Sequence, residues 1–297
     1  VNAVFDALRG RLPAAAADSD QFAGALRDAA LAANDAIHKH ALRHRELRGM
    51  GTTMTAAALR ADTLYLAQVG DSRAYLIRDG AAQQITKDQS LMQKLVEAGE
   101  ITPEQAEQSA RRNIILQALG PEASVKVDLT HQPLRRGDVL VLCSDGLSGQ
   151  VRADEIAELA GRAVDLDVLC RQLIHAANER GGPDNITVVA ARFDGDALDT
   201  PLVSDAVGHR TYPLDGASDG PTLRIAKAAL AELPEPAPAP SSAPPMPVMP
   251  GPVILPGRPA SAALRDRRER ARVYFVALGV AAFVVALITV WQLFFAR

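Results

Sequence analysis

The sequence predicts an α+β fold in which two packed antiparallel β-sheets are flanked by helices, an α-β-β-α sandwich, followed by one C-terminal transmembrane helix. Three observations predict it. A long stretch of helical apolar spacing precedes short β-rich segments joined by tight turns. Further helices then bracket a second set of such segments. The chain ends in an unbroken apolar run behind a proline-rich stretch.

In residues 20–47, Phe22, Leu26, Ala29, Ala33 and Ile37 fall on one helical face and predict one long helix. The segments TTMTAAALR, TLYLAQVG and RAYLIRDG read as strands. Ala61-Asp62 and Asp71-Ser72 supply the turns between them, and Asp79-Gly80 makes the next hairpin. A helix is expected to begin near Ser90 and end by Gly99. Thr102-Pro103-Glu104-Gln105 has the capping-box pattern with proline at the first helical position, and starts another. The strands KVDLTHQ and DVLVLCSDG follow, then helices near 154–160 and 166–180, and a last strand, NITVVAARF.

Composition divides the 297 residues into a globular part over 1–194, a disordered proline-rich linker over 195–263, a basic segment over 264–272 and an apolar span over 273–295. Eleven of the nineteen prolines lie between Pro234 and Pro259, which predicts an extended spacer without a core. The span holds 23 residues without a charge, about 34 Å as a helix, enough to cross a hydrocarbon core. Arg265, Arg267, Arg268, Arg270 and Arg272 precede it, and Tyr274 and Trp291 sit near its ends. Arginine on that side predicts a single-pass protein of the cytoplasmic membrane, with its globular part in the cytoplasm and its C-terminus outside. A net charge of -3 with no basic stripe argues against nucleic acid as a partner. Cys143 and Cys170 form no CxxC pair and read as small buried residues.

Three aspartates stand where apolar strands meet turns: Asp71 in VGDSRAY, Asp145 in LVLCSDGL and Asp184 in GGPDNITVV. Each alone is ordinary turn chemistry. Together they are separated oxygen donors of the kind that hard divalent cations take, with several waters retained. His38, His40 and His44 are read as a solvated helix face. Gly49, Gly51 and Gly70 are read as backbone turns, since no phosphate-loop pattern surrounds them.

The ordered series GMGTTMTAA, VGDSRAY, ITKDQS, NIILQALG, LVLCSDGLSG and GGPDNITVV, over residues 49–194, resembles the consecutive motifs of the type 2C metal-dependent serine/threonine protein phosphatases in their bacterial branch. The resemblance implies a helix-flanked β-sandwich that holds two Mn²⁺ or Mg²⁺ ions, with an additional weak metal site. It implies Asp145 and Asp184 as metal ligands, Asp88 with Asp145 at the additional site, and Asn185 as the residue that orients Asp184. Asp71, Ser72 and Arg73 form the GDSR turn and are implied as structural support, and residues 93–112 as a mobile flap.

The implied activity is hydrolysis of phosphoserine and phosphothreonine on proteins by a two-metal hydroxide mechanism, opposing a membrane serine/threonine kinase. The family's opening motifs, an arginine strand, an NED-like element and a DGMGGH-like turn, are not found ahead of VNAVFDALRG, so the sequence as written is expected to be impaired. Two other readings remain: a non-catalytic, membrane-tethered module with the phosphatase fold, and a phosphatase of a dedicated anti-sigma-type regulator.

Overall fold

Helix α1 (Asn2–Ala15) turns Val4, Leu8 and Leu12 inward, and α2 (Ser19–Arg43) buries Phe22, Leu26, Ala29 and Ala33 on the face that the spacing predicts. Asp18 caps α2 by accepting from the amides of Asp20 and Gln21 at 2.7 and 2.9 Å. The helix ends earlier than expected. His44 is extended, and Arg45–Leu47 forms a separate 3-10 turn. The computed structural model describes residues 2–15, 18–109, 111–214 and 284–285.

Strands β1 (Met54–Arg60), β2 (Thr63–Val69), β3 (Arg73–Arg78) and β4 (Ala81–Gln84) follow, then α3 (Leu91–Glu97) and α4 (Pro103–Gln108). The capping box at Thr102 forms as expected, with Pro103 in the first turn. Beyond come β5 (Asp128–Pro133), β6 (Asp138–Cys143), the short α5 (Asp145–Ser148), α6 (Ala153–Arg162), α7 (Leu166–Glu179) and β7 (Val188–Phe193). One sheet has the order β5-β2-β1-β8 and the other β4-β3-β6-β7, where β8 is Val284–Val285. All pairings among β1 to β7 are antiparallel.

Two turns behave as hairpins. Ala61 and Asp79 take positive φ at two-residue connections, which matches the right-handed twist of the flanking strands. The third turn does something else. Asp71-Ser72 carries the chain from β2 in one sheet to β3 in the other, so it is a crossing between layers and not a hairpin.

Side-chain alternation distributes the core among three interfaces. From β1, Met54, Ala56 and Ala58 face α1 and α2, while Ala57 faces the second sheet. From β6, Leu140 and Leu142 meet Leu64 and Leu66 between the sheets, while Val139, Val141 and Cys143 pack under Ile156 of α6 and Leu169 and Leu173 of α7. Buried on both faces, β6 reads in sequence as one apolar run. Cys143 is buried as expected, whereas Cys170 is only partly so.

The globular part does not stop at Asp194. Residues 195–214 run back across it as an irregular strap, so this portion of the expected linker is ordered against the sandwich. Leu198 and Val207 pack on the core between the sheets. Asp205 pairs with Arg135 at 2.7 Å. His131 donates its amide to Arg210 at 3.0 Å, and Tyr212 donates its amide to Leu129 at 2.8 Å, around a Thr130–Thr211 bridge. The strap thereby covers the free edge of β5. Tyr212 also meets Tyr65 and His131 at ring separations of 5.4 and 5.3 Å.

Residues 215–283 and 286–297, which hold the rest of the linker, the basic segment and most of the apolar span, lie outside the described residues. Of that span only Val284 and Val285 are described, and they are extended, not helical, in parallel register with Ala56 and Ala57. An apolar β-branched segment satisfies the outer edge of β1 in this way. Among the described residues no helix is long and apolar enough to cross a membrane.

Candidate metal and phosphate site

Register gathers the acids. Arg73 at the start of β3 lies opposite Cys143 at the end of β6, which lies opposite Val188 at the start of β7. Asp71 precedes β3, Asp145 follows β6 and Asp184 precedes β7. All three therefore emerge at the same end of one sheet.

A close backbone approach holds the last two turns together. Ser144 donates its amide to the Thr187 carbonyl at 3.1 Å, and its hydroxyl donates to the Asn185 carbonyl at 3.1 Å. Thr187 returns an amide bond to the same hydroxyl oxygen at 3.0 Å. Gly146 makes room, since a Cβ there would lie 2.4 Å from the Asn185 oxygen. Asp184 is oriented by the backbone amide of Asn185, which donates to Oδ1 at 2.6 Å.

Electrostatics reports how near the acids are. Burial, then the charges of Asp145 and Asp88, pushes the Asp71 carboxyl up to about 6. Asp145 is raised by burial first and by Asp184 second, while Arg112 draws it back down. Both shifts have the sign of carboxylates held among like charges, a state that a bound cation relieves.

Asp88, implied as a ligand of the additional metal site, is bound to Arg73. Arg73 donates to it through Nε at 3.0 Å and Nη2 at 2.7 Å, and Gln84 adds a bond at 2.9 Å. Its oxygens already serve a guanidinium. Burial works against the Arg73 charge, yet the Asp88 carboxylate raises its pKa overall. Asp71, one of the three strand-end acids and implied by the resemblance as structural support, lies near enough to Asp145 for that carboxylate to raise its pKa. Ser72 is buried in the turn, its hydroxyl 2.9 Å from that of Thr53.

Sequence reasoning passed over Arg112, the guanidinium felt by Asp145. A cation just ahead of NIILQALG was its only signal. His38, expected on a solvated face, is part-buried with Nδ1 2.9 Å from the Gly120 carbonyl. Residues 92–113 form an excursion whose base is closed where Leu91 donates to Ile114 at 2.9 Å and Leu116 donates to Gln89 at 2.7 Å. It contains α3 and α4 and covers the expected flap. Among the described residues no group of three or more His, Cys, Asp or Glu side chains is arranged to hold a metal ion.

The frame is a two-sheet sandwich with helices outside and acids at one sheet end, and comparisons with known proteins identify its family. The profile of the family described as Protein phosphatase 2C matches residues 1–186. The chain belongs to the protein phosphatase 2C family. It is 40% identical over 161 residues to the serine/threonine phosphatase stp of Listeria monocytogenes, a match covering 54% of this chain and 64% of that one. It is 45% identical over 166 residues to the serine/threonine protein phosphatase PstP of Mycobacterium tuberculosis, covering 55% of this chain and 32% of that protein.

Among solved structures, Stp1 of Staphylococcus aureus superposes with a TM-score of 0.59 at 33% identity, over 65% of this chain and 77% of that one. The catalytic domain of PstP in complex with two manganese ions gives 0.54 at 36% identity, over 65% and 80%. The chain spans about three-fifths of the length of the streptococcal and listerial relatives it matches.

Proposed function

We propose that the protein hydrolyses phosphoserine and phosphothreonine on proteins, with Asp145 and Asp184 contributing ligands for Mn²⁺ or Mg²⁺ and Asp71 facing the cation from beside Asp145. The observation that carries this is the strand register that brings Asp71, Asp145 and Asp184 out at one end of one sheet, where burial and then Asp145 raise Asp71, and burial and then Asp184 raise Asp145. An all-oxygen, partly buried donor set suits a hard divalent cation that keeps several waters. When bound, such an ion supplies Lewis-acid polarisation of the phosphoryl group and of water. The chain's own contribution is placement. The Ser144–Thr187 bonds fix the Asp145 and Asp184 turns relative to each other, and the Arg112 charge acts on Asp145.

The test is phosphate release from a phosphothreonine peptide across a Mn²⁺ titration, with Mn²⁺ binding measured on the same proteins. Asp145→Asn and Asp184→Asn are expected to lower release at least about a hundredfold. Full release and binding in Asp145→Asn would overturn the assignment. That no group of three His, Cys, Asp or Glu side chains among the described residues is arranged to hold an ion favours a second reading, a non-catalytic module of the same fold. That reading predicts no metal-dependent release from the unaltered protein.

We further propose that the apolar run 273–295 anchors the protein in the membrane, where it opposes a serine/threonine kinase. The support is the run's length without a charge and the arginines ahead of it. A tether raises the effective concentration near membrane-bound substrates. A membrane helix and the β8 pairing are alternative placements of Val284 and Val285. Carbonate extraction decides, since release into the soluble fraction would exclude a span.

A further inference from the structure

We infer that Gln89 is a positioning residue for Asp71, acting through the amide of Gly70; the inference rests on the reading that Asp71 faces a bound cation. Gln89 is 7% exposed and grips Gly70 at both ends: the Gly70 amide donates to Oε1 at 2.8 Å, and the Gln89 amide donates to the Gly70 carbonyl at 3.0 Å. Its side-chain nitrogen donates to Asp128 Oδ2 at 2.8 Å and to the Lys126 carbonyl at 3.3 Å. Asp128 therefore fixes which way the amide points, because only one orientation satisfies both Gly70 and the carboxylate.

Around this grip the loop has little freedom. Gly70 sits at φ +105, where a Cβ would lie 2.4 Å from Thr53 Cγ2. Gln68, 1% exposed, donates to the carbonyls of Gly70 at 3.2 Å and Ser72 at 3.1 Å, and Thr55 donates to Ser72 at 3.0 Å. The backbone on either side of Asp71 is thus held by buried side chains. Of these, only Gln89 also reaches the base of the 92–113 excursion, through the Leu116 amide at 2.7 Å, and β5 through Asp128. Such an outer partner of a ligand sets where the ligand's oxygen lies when an ion arrives.

The experiment uses the full chain in detergent, with Mn²⁺ alone as the probe, followed by titration calorimetry. Gln89→Met, close in size and unable to make these bonds, should weaken Mn²⁺ binding at least about tenfold. In an Asp71→Asn background the same change should add nothing. The exchange Gln89→Glu with Asp128→Asn, which restores a donor and an acceptor in reversed order, should recover the affinity. An equal loss from Gln89→Met with or without Asp71 would overturn the inference. Should the unaltered chain bind no Mn²⁺, the cation reading fails, and the ¹³C shift of the Asp71 carboxyl decides this one. A shift in Gln89→Met, with faster Gly70 amide exchange, upholds it, and no change in either overturns it.

Discussion

Gly146→Ala perturbs the site without touching an acid. The new Cβ would stand 2.4 Å from the Asn185 oxygen and 3.0 Å from its carbonyl carbon, about 1 Å short of ordinary contact at 3.4 Å. Neither neighbour is a flexible side-chain end, so the 144–146 turn must draw back from 185–187. Overpacking of this kind costs about 1–3 kcal/mol. The retreat also stretches the Ser144–Thr187 and Ser144–Asn185 bonds, each worth about 1 kcal/mol net. A loss of about 2–4 kcal/mol is expected, which moves a urea midpoint by about 1–2 M for a domain of this size. Because Asp145 and Asp184 ride on the two separated turns, Mn²⁺ binding should fall as well, by about tenfold or more. Circular dichroism in urea and calorimetry with Mn²⁺ read the two effects. Gly161→Ala, in α6 with nothing within 4 Å of its Cβ, is the control and should be neutral or stabilising. If Gly146→Ala matches that control in both assays, the close approach is not what joins the acids.

Asp138→Asn strands the buried Arg78 guanidinium, now paired at 2.6 Å with both side chains almost wholly covered, and should destabilise by about 3–5 kcal/mol in chemical denaturation. Limited proteolysis should cut beyond Leu214 before it cuts near Asp194, because the strap is bonded to β5 and packed on the core; first cleavage at 195–200 would count against the strap. Arg135 holds the Asp205 carboxyl down at about 2, below its usual 3.8. A depressed acid stabilises above its unfolded value and loses that contribution as pH falls through the folded one. Strap amide protection should therefore hold above about pH 4 and weaken toward pH 2, and Asp205→Asn should remove this pH dependence.

What could be read in the sequence follows from what is local. The two hairpins were legible because Ala61-Asp62 and Asp79-Gly80 leave room for only a two-residue reversal between matched strands. Asp145 stood out because five apolar residues run straight into it. The Asp71 turn looked like a third hairpin, and nothing local says otherwise. Strands apolar on both faces carry no polar side to show which sheet they join. Asp71 was legible among the three strand-end acids, but that ambiguity concealed that its turn leaves one sheet and enters the other just before β3, whose first residue pairs with the last of β6 ahead of Asp145. Asp88 shows the complementary limit. Its motif suggested a ligand, while its partner Arg73 is fixed by strand register and lies 15 residues away. The strap was illegible because it has no period to read, being held by a bridge at Thr211, ion pairs to Arg135 and Arg136, single hydrogen bonds and scattered apolar contacts. Buried glutamines were the signal left unused: Gln68 inside TLYLAQVG and Gln89 in KDQS are polar groups that a core admits only with their bonds satisfied, and here the satisfied partners are the backbone on either side of an acid.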